Sequence, residues 1–314
     1  MKYIDTMHEN MHVSDVYLCK MKQNFLTKSG KEYQSLVLQD KTGTVDAKIW
    51  DPGNAGIGEF ESLDYVFVDA DVTLFNNNIQ LNVRRLRRAD EGEYIPSDYL
   101  PLSARDNDEM YAALMGKVKS VKDPYLNKLL GIFFEEDKDF IQKFRFSSAA
   151  RNVHHGFVGG LLEHTLSVAE MCEFYCSAYP VLNRDLLISA ALLHDIGKTR
   201  ELSPFPENDY TDAGQLLGHI VMGCEMVQER IKTISGFTEK RSLELQHCIL
   251  AHHGEYEFGS PKKPALIEAM ALNFADNTDA KMEIFKEALD AAGSSDGWLG
   301  FNRYVESNIR KTSR

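Results

Sequence analysis

Apolar and polar residues alternate with a period near two between His12 and Arg88, and recur every third or fourth position from about residue 107 onward. The first pattern is carried by "HVSDVYLCKMK", "EYQSLVLQD", "TVDAKIW", "DYVFVDADVTLF" and "IQLNVRRLR". Turn signals separate these runs at Ser29-Gly30, Lys41-Thr42-Gly43, Asp51-Pro52-Gly53 and Asn76-Asn77-Asn78. Five short, half-buried strands of this kind predict a small curled antiparallel barrel, with the tightest hairpin at Gly43. The last run raises a conflict. If Ile79, Leu81 and Val83 face the core, strict alternation also sends Arg85 and Arg87 inward, and unpaired cations do not tolerate that. The strand must end or bulge near Val83.

Residues 91–106, "EGEYIPSDYLPLSARD", carry two prolines and no period, and read as a connector. Beyond them the pattern predicts helices over about 107–130, 136–145, 161–178, 184–195, 215–233, 240–252, 264–276 and 279–292. The expected architecture is multidomain: an N-terminal five-stranded β-barrel over 1–90, a connector with leading helices over 91–146, and an all-α domain with a C-terminal arm over 147–314.

Composition narrows the field of functions. The 43% apolar content fills ordinary cores, and the formal charge of -12 excludes a uniformly basic surface. That charge is uneven, since residues 1–90 hold 11 Lys/Arg against 13 Asp/Glu. The barrel is therefore the half less repulsive to a polyanion, and the helical half calls for counter-cations. Five scattered cysteines imply a reduced, cytoplasmic setting. No apolar leader and no uncharged apolar run of spanning length is present, so neither secretion nor a membrane partner is expected.

The helical half interrupts its apolar segments with titratable groups: His164 in "GGLLEHTLSVAEM", His194-Asp195 in "LLHDIGK", His219 in "QLLGHIVMGCEM", His252-His253 in "CILAHHGEYEF" and Asp276 in "MALNFADNTDA". Any one of them alone is more often a satisfied core residue. Jointly they offer more nitrogen and oxygen donors than one ion needs, which points to two divalent cations bridged by a carboxylate such as Asp195. With no cysteine pair at structural-zinc spacing, Mn²⁺ is the first expectation, with Fe²⁺, Co²⁺ and Mg²⁺ as alternatives. His8 and His12 lie in a leader without predicted structure and are set aside; Cys172 and Cys176, four apart, read as core packing.

The order of His164, the doublet His194-Asp195 and Asp276 resembles the HD-domain metal-dependent phosphohydrolase superfamily, an all-helical fold. The resemblance spans about residues 147–292 and implies metal binding by these four residues, with His219, His252 and His253 as the additions of two-metal members. The barrel, with "SLVLQDKTGTVDAKIWD" as its second and third strands, is similar to the nucleic-acid-binding OB-fold. A barrel of this type ahead of an HD domain resembles the bacterial 3′-to-5′ exoribonucleases of the YhaM type. It implies metal-dependent hydrolysis of single-stranded RNA to nucleoside 5′-monophosphates, extending to single-stranded DNA. Asp195 and Lys198 are then the candidate catalytic pair, Lys198 matching the lysine common after the doublet; its plainer roles are a surface lysine or an ion pair with Asp195.

On the barrel, Phe25, Tyr33, Trp50 and Phe75 are candidate base platforms, with Lys31 among the dispersed cations. Arg84, Arg85, Arg87 and Arg88 form the densest basic patch, open to RNA contact, domain docking or a solvated strand end. Lys262 and Lys263 follow the His252-His253 pair and either guide a 3′ terminus or cap a loop. The same loop reads Phe258-Gly259-Ser260-Pro261 where related cyclic-dinucleotide phosphodiesterases carry Gly-Tyr-Pro, which argues against that substrate. The competing functions are an HD-type nucleotide phosphohydrolase or phosphodiesterase with a small substrate, and a non-catalytic OB-fold single-strand binding protein. A strand delivered from barrel to helical domain is also compatible with a homo-oligomer.

Overall fold

In the computed structural model, which describes residues 1–76, 78–151, 155–293 and 297–313, β1 (His12–Leu26), β2 (Glu32–Asp40), β3 (Gly43–Ile49), β4 (Tyr65–Phe75) and β5 (Asn78–Arg88) close into a barrel in the order β1-β2-β3-β5-β4. This is an OB-type barrel. All neighbours are antiparallel except β3 and β5, which run parallel with Ala47 opposite Leu81. The wholly antiparallel expectation fails for a geometric reason: a closed ring with an odd number of strands cannot alternate direction at every seam. Tyr17, Leu36, Leu38, Ile49, Leu81 and Leu86 fill the interior.

The arginine conflict on β5 is resolved by a bulge. Asp69 pairs with Arg85 and Ala70 with Val83, so Arg84 is the extra residue. The insertion shifts the inward phase from Leu81 and Val83 to Leu86, leaving all four arginines exposed.

The chain divides into two compact units, Met1–Leu102 with Phe205–Glu207, and Ser103–Pro204 with Asn208–Arg314. The second contains α1 (Asn107–Ser120), α2 (Pro124–Gly131), α3 (Lys138–Phe146), α4 (Gly160–Ala178), α5 (Arg184–Leu193), α6 (Lys198–Glu201), α7 (Asp212–Ile231), α8 (Glu239–Leu250) and α9 (Ile267–Ala291). A hairpin of β6 (Trp298–Asn302) and β7 (Ser307–Arg310) follows, where the sequence suggested only an arm. The helix expected over 107–130 is split because Asp123 caps α2, accepting from the amides of Tyr125 and Leu126, with Pro124 in its first turn. Conversely, the helices expected over 264–276 and 279–292 are one. Asp276 and Asp279 turn their carboxylates to a histidine of α4 and leave the backbone ladder of α9 intact.

Leu161, Leu162 and Leu166 of α4, Leu187, Ala190 and Ala191 of α5, Leu245 and Ile249 of α8 and Leu272 of α9 are buried in one core. Cys172 joins it. The polar centre sits where these helices end or face each other. Among the described residues no helix is long and apolar enough to cross a membrane.

Candidate metal centre and nucleic-acid surface

The metal-ligand candidates arrive from five separate stretches of the helical unit. His164 projects from the first turns of α4, His194 caps the C-terminus of α5, and Asp195 follows in the turn before α6. His252 and His253 lie just past α8, which ends at Leu250 rather than at the expected 252, and Asp276 lies mid-way along α9. His219 needs a special device. Gly218 takes φ 76° and interrupts α7, so the amide of His219 leaves the helical ladder and donates to Glu201 Oε1 at 2.9 Å.

The seven groups converge. His164 Nε2 stands 3.2 Å from His194 Nε2, 3.3 Å from Asp195 Oδ2 and 3.1 Å from Asp276 Oδ1. On the other side of the same carboxylate, Asp195 Oδ1 is 3.4 Å from His219 Nε2 and 3.6 Å from His252 Nε2. His253 completes this second group, its ligand atom within 4.8 Å of those of His219 and His252. Asp195 thus presents one oxygen to each cluster and is buried with His164, His194 and His252.

Five hydrogen bonds set the imidazole tautomers. The Nδ1 of His194 donates to Ala191 O at 2.8 Å, that of His252 to Ile249 O at 2.7 Å and that of His253 to Phe258 O at 2.9 Å. The Nδ1 of His164 donates to Asp279 Oδ2 at 2.7 Å and that of His219 to Glu201 Oε1 at 2.9 Å. Each Nδ1 meets an oxygen that only accepts, so in the neutral ring it is Nε2 that carries the lone pair and faces inward; His164, among three carboxylates, must first give up a proton from its Nε2. Asp195 Oδ1, His219 Nε2 and His252 Nε2 are buried with no hydrogen-bond partner. Lone pairs facing one another in a dry interior repel and cost desolvation energy unless a cation takes them. The donor set, imidazole and carboxylate with outer hydrogen bonds, fits divalent ions.

Electrostatics agree. Burial raises the proton affinity of Asp195 and Asp276, but for Asp195 the Lys198 ammonium and His194, and for Asp276 the hydrogen bond from His164, outweigh it, so both stay ionised well below the usual carboxylate range. Burial holds His252 well below, and His253 below, the ordinary histidine value, which keeps them neutral, the state a metal ligand would need. Lys198 Nζ lies 2.7 Å from Asp195 Oδ2, the ion pair named among its plainer roles, and it also lines a cleft of about 450 Å³ with His164, His253 and Asp276.

Three participants were not picked out from the sequence. Asp279 and Glu201 orient His164 and His219, and His155 Nε2 approaches the same Asp279 Oδ2 at 2.9 Å. The three-residue step from Asp276 to Asp279 on one helix face was the available signal for the first; Glu201 and His155 had none.

On the barrel, Phe25, Tyr33 and Trp50 form a continuous stack, with ring centroids 5.6 Å apart between the first pair and 5.2 Å between the second. Phe25 and Trp50 are exposed, Phe25 and Tyr33 line a hollow of about 510 Å³, and Lys31 is exposed in the turn before β2. Phe75 is exposed at the end of β4, outside this stack. The arginine patch is largely self-neutralised: Arg84 pairs with Asp71, Arg87 with Glu93 and Arg88 with Asp64, whereas Arg85 makes no ion pair among the described residues. Lys263 pairs with Glu255, and Lys262 is exposed beside it without an ion pair among the described residues.

A helical unit with this His/Asp centre, whose residues 161–281 match the model of the HD domain family, places the protein among the HD-domain proteins. Over 278 residues the chain is 36% identical to the 3′-5′ exoribonuclease YhaM of Geobacillus sp. (strain WCH70), covering 88% of this chain and 85% of that protein. It is 34% identical over 276 residues to the protein of the same name from Bacillus pumilus (strain SAFR-032), covering 87% and 86%. The chain belongs to the YhaM family. Among solved structures, the second OB-fold domain of replication protein A from Methanococcus maripaludis is 18% identical, covering 29% of this chain and 96% of that one, with a TM-score of 0.23.

Proposed function

We propose that this protein is a metal-dependent 3′-to-5′ exoribonuclease that shortens single-stranded RNA, and single-stranded DNA as a second substrate, to nucleoside 5′-monophosphates in the cytoplasm. The observation that carries the reading is the set of four imidazoles, those of His164, His194, His219 and His252, whose Nε2 atoms converge on the two oxygens of Asp195, with His253 beside the second pair. His164, His194, Asp195 and Asp276 would hold one divalent ion, and Asp195, His219, His252 and His253 the other. Mn²⁺ is the ion assigned first, because a mixed imidazole–carboxylate set suits borderline-hard catalytic metals. Such ions, when bound, acidify water toward neutral pH and compensate charge on phosphate oxygens.

The chain's own groups do the rest. Water adds to the phosphorus of the last internucleotide bond, the bond from phosphorus to the 3′ oxygen breaks, and the shortened strand leaves with a 3′ hydroxyl. Asp195 stays ionised beside Lys198, whose proton affinity the carboxylate raises against the effect of burial. The ammonium is therefore retained at the cleft wall, within reach of a phosphate there. Residues 1–90 supply strand affinity through Phe25, Tyr33 and Trp50, residues 147–314 the hydrolysis, and 91–146 connect and lead into the helical domain. The stacked rings support single-strand binding of a sequence-tolerant kind.

Incubation of a 5′-labelled oligoribonucleotide with the protein and Mn²⁺ tests this. A ladder of progressively shorter labelled products is expected, and Asp195→Ala should abolish it while strand affinity persists. An inert oligomer alongside turnover of free nucleotides would instead establish a small-nucleotide phosphohydrolase.

A further inference from the structure

We propose that Phe258 is the stacking surface for the 3′-terminal base of the strand, a nucleobase subsite at the mouth of the metal cleft. This inference rests on the exonuclease reading of the cleft and adds to it the place where the released nucleotide is held. The cleft is lined by the polar groups of His164, Lys198, His253 and Asp276 and, with them, by Phe258 and Asn277. Cleavage of the terminal phosphodiester puts that phosphate at the polar groups, so the base of the departing nucleotide must lie against something beside them.

Phe258 has the surface for that role. Its side chain is 65% exposed, and it closes a short turn, Tyr256–Phe258, separated by two residues from the His252-His253 pair. Folding leaves this ring in water at a cost, and a flat aromatic partner removes it from water again.

The loop is also held rigidly with respect to the ligands. Gly254 takes φ 79° and packs on Asn273, whose Nδ2 would be 2.6 Å from an added Cβ and which donates to His252 O at 2.6 Å. The carbonyl of Phe258 itself accepts from His253 Nδ1 at 2.9 Å, so one hydrogen bond sets both the ligand tautomer and the position of the ring's backbone. Ser260 closes the loop, its amide donating to Glu255 O at 3.2 Å. Glu255, also on the cleft wall, is paired with Lys263, which removes the repulsion a free carboxylate would exert on a polyanion. A ring fixed this way offers a pre-organised π-face and no hydrogen-bond code, which suits an enzyme that must accept each base in turn.

The test pairs two 5′-labelled oligoribonucleotides, one ordinary and one ending in an abasic ribose, with wild type, Phe258→Ala and Phe258→Trp in Mn²⁺. Phe258→Ala should raise KM for the ordinary strand by about tenfold, within what one base–aromatic stack supplies, with kcat little changed. Phe258→Trp should retain wild-type KM. The abasic terminus should cost wild type a similar factor and cost Phe258→Ala nothing more. Calorimetric titration with Mn²⁺ should give the same affinity for all three proteins.

Equal losses by Phe258→Ala on both strands, or a weakened Mn²⁺ isotherm, would overturn the proposal in favour of a ring that only supports the loop. No change on either strand would also overturn it. If wild type leaves both oligomers intact, the exonuclease reading fails first, and this outcome is distinct from ordinary shortening with a silent Phe258.

Discussion

Glu201 Oε1 lies 2.9 Å from both the backbone nitrogen and the Nδ1 of His219, at the point where Gly218 interrupts α7. One carboxylate oxygen therefore fixes the position of the residue and the tautomer of its ring. Burial favours the neutral acid, but the hydrogen bonds from His219 prevail, so Glu201 stays ionised. Replacing it with Ala should weaken the ion held by His219, His252 and His253 by roughly 10- to 100-fold, the usual loss for an outer partner of a metal ligand. Gln keeps an acceptor and should lose less. Calorimetric Mn²⁺ titration reads both, and an unaltered isotherm in Glu201→Ala would show that something else orients His219.

At the proposed metal centre a divalent ion and a proton would compete for His164. Burial lowers its proton affinity, yet hydrogen bonds to Asp195, Asp276 and Asp279 outweigh that and carry it well above the ordinary value of 6.5. In the metal-free protein its contribution to stability is complete below the unfolded value and is lost as pH rises through the folded one. Asp195, Asp276 and Asp279 act in the opposite sense, stabilising above the unfolded carboxylate value and losing that as pH falls. A divalent ion requires neutral His164, so its binding should release protons, and the gain in Tm on adding Mn²⁺ to chelated protein should grow between about pH 6 and pH 8. Calorimetry in buffers of different ionisation enthalpy counts the protons. Binding without release at neutral pH would contradict the assignment of His164 as a ligand.

The inner shell of this centre is legible in the sequence because His164, His194, Asp195, His219, His252, His253 and Asp276 stand inside apolar segments, where a titratable group needs a reason. Glu201 and Asp279 sit in polar stretches, where such a residue is unremarkable until its partner is located. The strands are legible from alternation, and the bulge at Arg84 from the impossibility of burying Arg85 and Arg87. The parallel seam of β3 and β5 has no local signal, since it joins Asp46 to Gln80 across the barrel. The continuity of α9 is hidden because Asp276 and Asp279 look like helix breakers until His164 accounts for their side chains.

The stacked rings on the barrel separate strand affinity from hydrolysis. Trp50 is exposed on one face, and its Nε1 donates to Asn82 Oδ1 at 3.1 Å. Trp50→Ala should cost about 1–3 kcal/mol of single-strand affinity, measured by fluorescence anisotropy in chelator, and leave turnover of a small phosphodiester unchanged. Arg85 makes no ion pair among the described residues, unlike its neighbours, so Arg85→Ala should reduce the salt dependence of binding by about 0.7 in log–log slope. Arg84, Arg87 and Arg88, paired with Asp71, Glu93 and Asp64, should change it less. Equal slopes for all four variants would mean the pairs open on binding.

Gly197 is expected to decide whether the proposed second ion has a site. A Cβ there would lie 1.9 Å from His219 O and 2.8 Å from Gly223 N, both backbone atoms that no rotamer change can move. This approach of the turn after Asp195 to α7 accompanies the 3.4 Å separation of His219 Nε2 and Asp195 Oδ1. Gly197→Ala must therefore push the two segments apart, at roughly 1–3 kcal/mol or more. An ion held by His164, His194 and Asp276 would not depend on α7. Thermal unfolding should show a lowered Tm, and Mn²⁺ stoichiometry should fall from two toward one. Gly223→Ala is the control, because its nearest neighbour is Gly197 N at an ordinary 3.4 Å, and it should keep both ions. If Gly197→Ala also binds two ions with unchanged affinity, His219 reaches the centre by a route that does not need this close contact.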